Sequence, residues 1–195
     1  VNSDQRSFRS CMRSTSYMIE LGRITAVDLF LENGDRAFAG NTGNWFNKLD
    51  TGAITLIDNL DASASNMWNS DDKVGEKRHL DMLAPSALNQ TAKNVVDTLL
   101  GAMKDEGDAS VDTWAQEESP SNPGSTRYDL MVLTFEQGLR EGRETLIRIL
   151  LKKKKKGLGR QIKQMALGSS AKDNNTGIDY WSRLKARVRY LKKQK

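Results

Sequence analysis

The sequence predicts an all-α fold, built as two helical domains joined by a linker rich in proline, glycine and serine. Apolar residues recur at spacings of three and four along most of the chain, which is the period of a helix with one buried face. Alternation with a period of two extends only over Ala53–Ile57. Two of the three prolines fall within Ser119–Ser125, among glycine and serine residues. We therefore expect helical domains at 1–118 and 126–195, with a linker at 119–125.

Two long helices are predicted in the first part of the chain. The first runs from about Arg13 to Asn33 and places five apolar residues on one side, namely Tyr17, Leu21, Ile24, Val27 and Leu31. Gly34 follows as a typical helix end. The second begins near Asn44, and its apolar residues are Trp45, Leu49, Ala53, Leu56 and Leu60. Residues 53–57 are the one candidate strand, and they lie inside this longer helical pattern.

Two further helices are expected before the linker. A short one from about Glu76 to Leu83 ends near Pro85, because proline disfavours helical backbone at the residue before it. Ser86 is then expected to cap a helix that ends around Gly107. The apolar residues of that helix stay in register, at Leu88, Ala92, Val95, Leu99 and Met103.

The helix after the linker has the most regular pattern in the chain. Thr126 and Asp129 have the spacing of a capping box. The apolar seam then advances in steps of four and three, through Tyr128, Val132, Phe135, Leu139, Gly142, Leu146 and Ile149. We expect this seam to pack on the protein's own helices rather than in an intermolecular coiled coil. Gly138 and Gly142 lie on or beside the seam, where they allow close helix contact.

Two helices are predicted at the end of the chain. A short one covers Leu158–Leu167 and ends at Gly168. The last helix carries one apolar stripe, at Ile178, Trp181, Leu184, Val188 and Leu191, while its other faces are basic.

Charge divides the chain into an acidic and a basic part. Residues 1–126 hold 11 Lys and Arg against 19 Asp and Glu, a net charge of −8, and residues 127–195 hold 19 against 6, a net charge of +13. The stretch Arg148–Lys163 alone contains eight basic residues and no acid. Such a concentration of positive charge is typical of proteins that bind a polyanion, either a phosphate backbone or an anionic membrane.

The candidate binding residues are the basic side chains of this stretch and of the last helix. They are Arg148, Lys152, Lys153, Lys154, Lys155, Lys156, Arg160, Lys163, Arg183, Lys185, Arg187, Arg189, Lys192 and Lys193. Consecutive lysines point all round a helix, so they favour a diffuse electrostatic contact over base-specific recognition. A solvated helix end, stabilised by the helix dipole, explains the lysine run equally well when it is taken alone. The second acid-free basic helix favours a binding function, and the same run also fits a nuclear import signal.

Residues suited to catalysis are scarce, and the sequence predicts that the protein is not an enzyme. Cys11 is the only cysteine and His79 the only histidine, so one chain forms neither a disulfide nor a Cys/His zinc site. We expect no metal and no cofactor, and we expect an inert thiol at Cys11 in a reducing compartment. No apolar run approaches the length of a membrane span, and residues near the N-terminus do not resemble a signal peptide.

The whole profile resembles that of orthomyxovirus matrix proteins, of a distant, non-influenza type. The features that carry the resemblance are the chain length, the linker at Ser119–Ser125 and the basic cluster at Lys152–Lys156. The resemblance implies an all-helical protein of two domains without a transmembrane span. It also implies polymerisation beneath the viral envelope and binding of anionic lipid and ribonucleoprotein through a basic helix.

Three functions follow as hypotheses. The first is a matrix-like structural protein, a homo-oligomer on anionic membrane lipids, located in the virion interior and in the host cytoplasm and nucleus. The alternative is a nucleic-acid-binding protein, such as a small nucleocapsid or an RNA-packaging factor, in which Trp181 and Tyr180 stack on bases. The third is a helical module that binds a host factor through the acidic half.

Overall fold

The computed structural model describes residues 3–31, 36–37, 40, 45–48, 53–56, 79–151 and 180–194, and 73% of them are helical. The expectation of a mostly helical protein is confirmed. Two small antiparallel hairpins accompany the helices, so the fold is not purely α.

The first two helices pack at the N-terminal end. α1 covers Ser3–Met12 and α2 covers Thr15–Leu31, with Ser14 between them. The Ser14 hydroxyl accepts a hydrogen bond from the Tyr17 N–H at 3.4 Å, which satisfies one of the unpaired donors at the start of α2. α2 confirms the first predicted helix, although Val27 of the predicted stripe is 38% exposed. The predicted end at Asn33–Gly34 lies outside the described residues.

A β-hairpin replaces part of the second predicted helix. β1 covers Trp45–Lys48 and β2 covers Ala53–Leu56, with Trp45 opposite Leu56 and Lys48 opposite Ala53. The prediction of a helix through these residues is therefore wrong. Aromatic and β-branched residues favour strands, and tertiary contact decides the case: Trp45 is 4% exposed and its Nε1 donates to the Tyr17 hydroxyl of α2 at 3.1 Å.

The next helix, α3, covers Leu88–Asp105 and follows a helical turn at 79–81. Its N-cap residue is Ala87 and makes no side-chain capping bond, so the prediction that Ser86 caps this helix is wrong. Successive turns carry the chain into the helix instead, with the Ala87 N–H bonded to the Ala84 carbonyl at 2.8 Å. The predicted end is confirmed, because Gly107 has a φ of 99° and the Asp108 N–H bonds back to the Met103 carbonyl at 3.0 Å.

The predicted linker forms a hairpin. α4 covers Val111–Gln116, and β3 (Glu118–Ser119) then pairs with β4 (Asn122–Thr126). The division of the chain into two domains at 119–125 stays a prediction. In the part that the structure describes, side chains from both sides of the hairpin belong to one hydrophobic cluster, including Leu99, Phe135 and Leu191.

The long helix α5 covers Arg127–Leu151 and begins with the predicted capping box. The Thr126 N–H donates to the Asp129 carboxylate at 3.1 Å, and the Asp129 N–H donates to the Thr126 hydroxyl at 3.1 Å. Phe135 and Leu139 of the predicted seam are fully buried. The expectation that the seam packs on the protein's own helices is confirmed, since α5 lies against α2, although Ile149 at the end of the seam is 40% exposed.

Small residues bring α2 and α5 into backbone contact. A Cβ atom at Gly138 would overlap the carbonyl oxygen of Ile19, and a Cβ at Gly142 would lie 2.7 Å from the Cβ of Ala26. Gly22 faces Gly138 from α2, with its Cα 2.9 Å from the position of that added Cβ. Because Gly22 meets Gly138 and Ala26 meets Gly142, the two helices run in the same direction.

The last helix, α6, covers Tyr180–Lys193 and confirms the final predicted helix. Val188 and Leu191 of its predicted stripe are buried, at 3% and 0% exposure. The short helix predicted at Leu158–Leu167 lies outside the described residues.

Candidate polyanion-binding surface

The candidate surface lies on α6. This helix is held to the rest of the protein by both apolar and polar side-chain contacts. Val188 and Leu191 enter the hydrophobic core. On another side of the helix, the Tyr190 hydroxyl donates to the Asp81 carboxylate, which raises the pKa of Tyr190, and Gln194 donates to the same carboxylate at 2.9 Å. These contacts fix which face of α6 is turned to solvent.

Arg187, which we predicted to contact a polyanion, lies inside the protein. Arg187 is only 4% exposed. Its Nε donates to the Phe30 carbonyl at 2.7 Å, and its Nη2 donates to the Leu29 carbonyl at 3.3 Å. These carbonyls belong to the last turn of α2, where a cation is favourable because of the helix dipole. Arg187 therefore holds α6 against α2 and is not part of the exposed surface.

Arg143 of α5 also holds α6 in place, at the C-terminal end of α6. Its Nη2 donates to the Leu191 carbonyl at 2.8 Å and to the Gln194 carbonyl at 2.7 Å. Burial lowers the pKa of Arg143, but the guanidinium of an arginine stays charged at any physiological pH. Since Arg187 meets the end of α2 and Leu191 meets Arg143, α6 runs back along α5 in the opposite direction.

Four of the predicted binding residues are described and exposed. Arg189, Lys192 and Lys193 point to solvent from α6, and Arg148 points to solvent from the last turns of α5. The sequence of α6 contains no acidic residue. No Asp or Glu occurs between Glu144 and Asp173, so the end of α5 also leads directly into basic sequence.

The remaining predicted residues are not placed. Side chains of Arg183 and Lys185 on α6 are not described, and the lysine run Lys152–Lys156, with Arg160 and Lys163, lies outside the described residues. The four exposed candidate side chains thus lie on regular helices anchored by buried contacts. A rigid display of this kind suits a charged plane or backbone and offers no enclosed pocket for a small substrate.

An acidic surface lies elsewhere on the molecule, around the end of α3 and along α4. Five carboxylates are exposed there, and they are Asp105, Glu106, Asp112, Glu117 and Glu118. Lys104 forms an ion pair with Asp112 at 2.5 Å. The two parts of the chain differ in charge, and the folded protein accordingly has one exposed acidic surface and a separate exposed basic surface among its described residues.

One cluster of charged and aromatic residues was missed by the sequence analysis. The guanidinium carbons of Arg9, Arg13 and Arg127 lie 5.4, 5.8 and 5.7 Å from the ring centroid of Trp114. These distances are within the range of cation–π contacts. No local pattern could reveal the cluster, because its members come from α1, the turn before α2, α4 and the start of α5.

The described residues bear on several smaller expectations. Cys11 is 8% exposed and burial raises the pKa of its thiol, which agrees with the inert thiol we expected. Within the described ranges, no three His, Cys, Asp or Glu side chains are grouped as metal ligands. Among the helices described, none is long and apolar enough to cross a bilayer.

Comparison of the chain with protein-family models, with curated proteins and with solved structures finds no match.

Proposed function

We propose that this chain is a matrix-like structural protein. In this proposal it binds the inner face of an anionic membrane through its basic C-terminal part, assembles with copies of itself and bridges the membrane to ribonucleoprotein. The acidic part is 1–118 and the basic part is 126–195. The resemblance to orthomyxovirus matrix proteins implies the same role.

The observation that carries the proposal is the exposed basic face of α6. Arg189, Lys192 and Lys193 are exposed on a helix without acidic residues, and buried Val188 and Leu191 fix that face outward. Each basic residue near an anionic membrane contributes roughly 1 kcal/mol of attraction. With the lysine run Lys152–Lys156 in the same part of the chain, the total is enough for stable peripheral binding.

The arrangement of the exposed basic side chains favours a membrane over a specific nucleic-acid site. Base recognition needs a few side chains placed together in a groove or against unstacked bases. The exposed candidate side chains, Arg148, Arg189, Lys192 and Lys193, lie on the outsides of two helices instead. A plane of anionic headgroups meets such a surface without any particular register.

Self-assembly is supported by the separate acidic surface. The exposed carboxylates at the end of α3 and along α4 would contact basic side chains of another copy other than those that face the membrane. Because both surfaces belong to every copy, contacts of this type are head-to-tail and extend into a layer or filament unless the geometry closes a ring.

The lysines of α6 have a purely structural explanation, which the experiment must separate from binding. Lys192 and Lys193 lie in the last turn of the helix, where cations interact favourably with the dipole. If this were their whole role, changing them would alter stability and leave membrane binding unchanged.

The test is binding to vesicles that contain phosphatidylserine, at physiological salt, by three variants. One carries Arg189→Gln, Lys192→Gln and Lys193→Gln, and the second carries Lys152–Lys156 changed together to Gln. The third is a control with the same loss of three charges, Arg23→Gln, Lys93→Gln and Lys104→Gln, at exposed positions on α2 and α3. Because Arg23 and Lys104 form ion pairs with Glu141 and Asp112, the folding of this control is also checked by circular dichroism.

We expect both C-terminal variants to fold, by circular dichroism, and to lose at least about tenfold in vesicle affinity, since several basic contacts of about 1 kcal/mol each are removed. The control should bind as the unchanged chain does. Equal losses in the α6 variant and the control would mean that only net charge matters, and the proposed surface would be rejected. Retained vesicle binding in both C-terminal variants would have the same consequence. RNA binding with a steep salt dependence, together with no vesicle binding, would assign the surface to nucleic acid instead.

A further inference from the structure

A small pocket lies where the turn before α2, α4, the β3–β4 hairpin and the start of α5 meet. Its volume is about 90 Å³. Arg13, Arg127 and Trp114 line it together with hydroxyl-bearing residues such as Ser121, and apolar side chains including Met131 complete the wall. None of these residues belongs to the basic surface on α6.

The charge of the lining is positive. Two arginines and no acidic residue line the pocket. Arg13 is exposed, and its side chain makes no ion pair or hydrogen bond with any residue that the structure describes; its one contact of note is with the Trp114 ring. Its charge is therefore available to a ligand.

Arg127 is held in place and still has a donor to offer. Its Nη1 donates to the Trp114 carbonyl at 3.0 Å and to the Glu117 carboxylate. Its Nη2 makes no hydrogen bond with any residue that the structure describes, so this donor is available to a ligand. The Nε of Arg127 and the Nε1 of Trp114 are buried and are not accessible from the pocket.

Arg9, the third arginine of the cluster, differs from Arg13 because its charge is paired with a carboxylate. Arg9 donates from its Nε to the Asp108 carboxylate at 2.5 Å, and Asp108 is only 1% exposed. Three guanidinium groups thus surround Trp114, while Asp108 and Glu117 supply two carboxylates. One positive charge is left over, and it is that of Arg13 at the pocket.

The size of the pocket limits what enters it. Sites for drug-sized ligands measure about 300–1,000 Å³, so a whole nucleotide does not fit here. A single phosphate group does, and its oxygens accept hydrogen bonds from several directions at once. Donors in this pocket come from different elements, which suits a tetrahedral oxyanion better than a planar carboxylate.

We propose that this pocket binds a phosphate group, either as the free ion or as the end of a larger phosphorylated molecule, between Arg13 and Arg127 beside Trp114. The bound oxyanion would neutralise Arg13 and would tie the start of α5 to the turn before α2. This site is independent of the surface on α6, and either can exist without the other.

The experiment is titration calorimetry with inorganic phosphate at constant ionic strength, set with sodium chloride. The protein is the full chain carrying Lys152–Lys156 changed to Gln, so that diffuse binding of phosphate by the lysine run does not mask the pocket. Into this chain we introduce Arg13→Gln, Arg127→Lys or Arg140→Gln. Arg140 is the matched control, because it is an exposed arginine on α5 that does not line the pocket.

We expect one phosphate per chain, and about tenfold weaker binding in Arg13→Gln, the loss typical of one charge-assisted contact. Arg127→Lys keeps the charge but removes the planar guanidinium with its Nη2 donor, and it should also weaken binding. Arg140→Gln should bind as the parent does. The absence of phosphate binding, an equal loss in Arg140→Gln, or acetate binding as tightly as phosphate would each overturn the proposal.

A parallel titration with glycerol 3-phosphate separates the two sources of the group. Tighter binding of glycerol 3-phosphate than of inorganic phosphate would assign the pocket to the end of a larger molecule. Equal affinity would assign it to the free ion.

Discussion

Individual arginines of α6 have two different roles. Arg187 is buried and bonded to backbone carbonyls at the end of α2, whereas Arg189, two positions later, is exposed. The same residue type thus stabilises the fold at one position and extends the charged surface at the other.

This contrast gives a matched pair of variants. Arg187→Gln should lower the free energy of unfolding by about 2 kcal/mol, because charged hydrogen bonds to buried carbonyls are lost. Arg189→Gln should change it by less than about 0.5 kcal/mol, as is usual at an exposed position. Urea denaturation of the two variants measures both effects. Equal stability of the two would show that Arg187 does not hold α6 in place.

The capping box of α5 makes stability depend on pH through one carboxylate. Hydrogen bonds from the side chain and backbone of Thr126 lower the pKa of Asp129 below its ordinary value. A group whose pKa is lower in the folded state contributes stability above its unfolded pKa, near 4, and that contribution is lost as the pH falls through the folded pKa.

Asp129→Asn should therefore lower the free energy of unfolding by about 1 kcal/mol at pH 7, the usual value of a helix cap. The difference from the unchanged chain should shrink as the pH falls below the ordinary carboxyl pKa of about 4, and it should disappear once Asp129 is protonated in the folded state. Asp105→Asn, at the C-terminal end of α3 where a negative charge is unfavourable, serves as a control and should not destabilise the protein. A difference at Asp129 that stayed constant with pH would contradict this explanation.

At the scale of elements, the contact between α2 and α5 depends on the absence of side chains. Gly138 lies against the backbone of α2, and an added Cβ would meet the Ile19 carbonyl oxygen. Gly101 is also inside a helix, but nothing lies within 4 Å of an added Cβ there. The two glycines differ only in what surrounds them.

Alanine should lower the free energy of unfolding at position 138 and raise it at position 101. Gly138→Ala must separate α2 from α5 and should cost about 3 kcal/mol or more, since overpacking against backbone is not relieved by a side-chain rotation. Gly101→Ala should raise the free energy of unfolding by about 0.5–1 kcal/mol, because alanine favours helix over glycine. Thermal and urea unfolding provide the comparison. Tolerance of alanine at position 138 would mean that the two helices do not approach so closely.

The elements that could be predicted from the sequence are those with a one-sided apolar period. α2, α3, α5 and α6 have this pattern, and the cap of α5 and the glycine after α3 have recognisable local chemistry. β1 and β2 were assigned to a helix because their apolar residues also fit a helical period, and the contact between Trp45 and Tyr17 that favours the hairpin is not local. The candidate strand at 53–57 was recognised, and it coincides with β2. The proline-containing segment was recognised as a break, but its pairing as β3–β4 was not foreseen.

The candidate surface could be predicted only in part, for the same reason. Composition indicated a basic last helix, and its exposed residues follow from the apolar stripe on its other side. The buried position of Arg187 could not be derived, because its partner Phe30 lies 157 positions earlier in the chain. The cluster around Trp114 joins Arg9 and Arg13, near the start of the chain, to residues in its middle and likewise has no local signal.

At the scale of the whole molecule, one core supports surfaces of opposite charge. The described helices on both sides of the β3–β4 hairpin contribute to the same hydrophobic cluster. Exposed carboxylates lie around α3 and α4, and exposed basic side chains lie on α6 and at the end of α5. In the proposed function, the basic surface contacts the anionic membrane and the acidic surface contacts another copy of the protein.

The most direct test of this account is flotation of the unchanged protein with anionic and with neutral liposomes at physiological salt, followed by electron microscopy of the floated fraction. We predict that the protein floats with anionic liposomes only and covers them with a regular coat. Flotation with neither lipid, or binding to anionic liposomes as isolated monomers without a coat, would contradict the proposal of a membrane-bound, self-assembling structural protein.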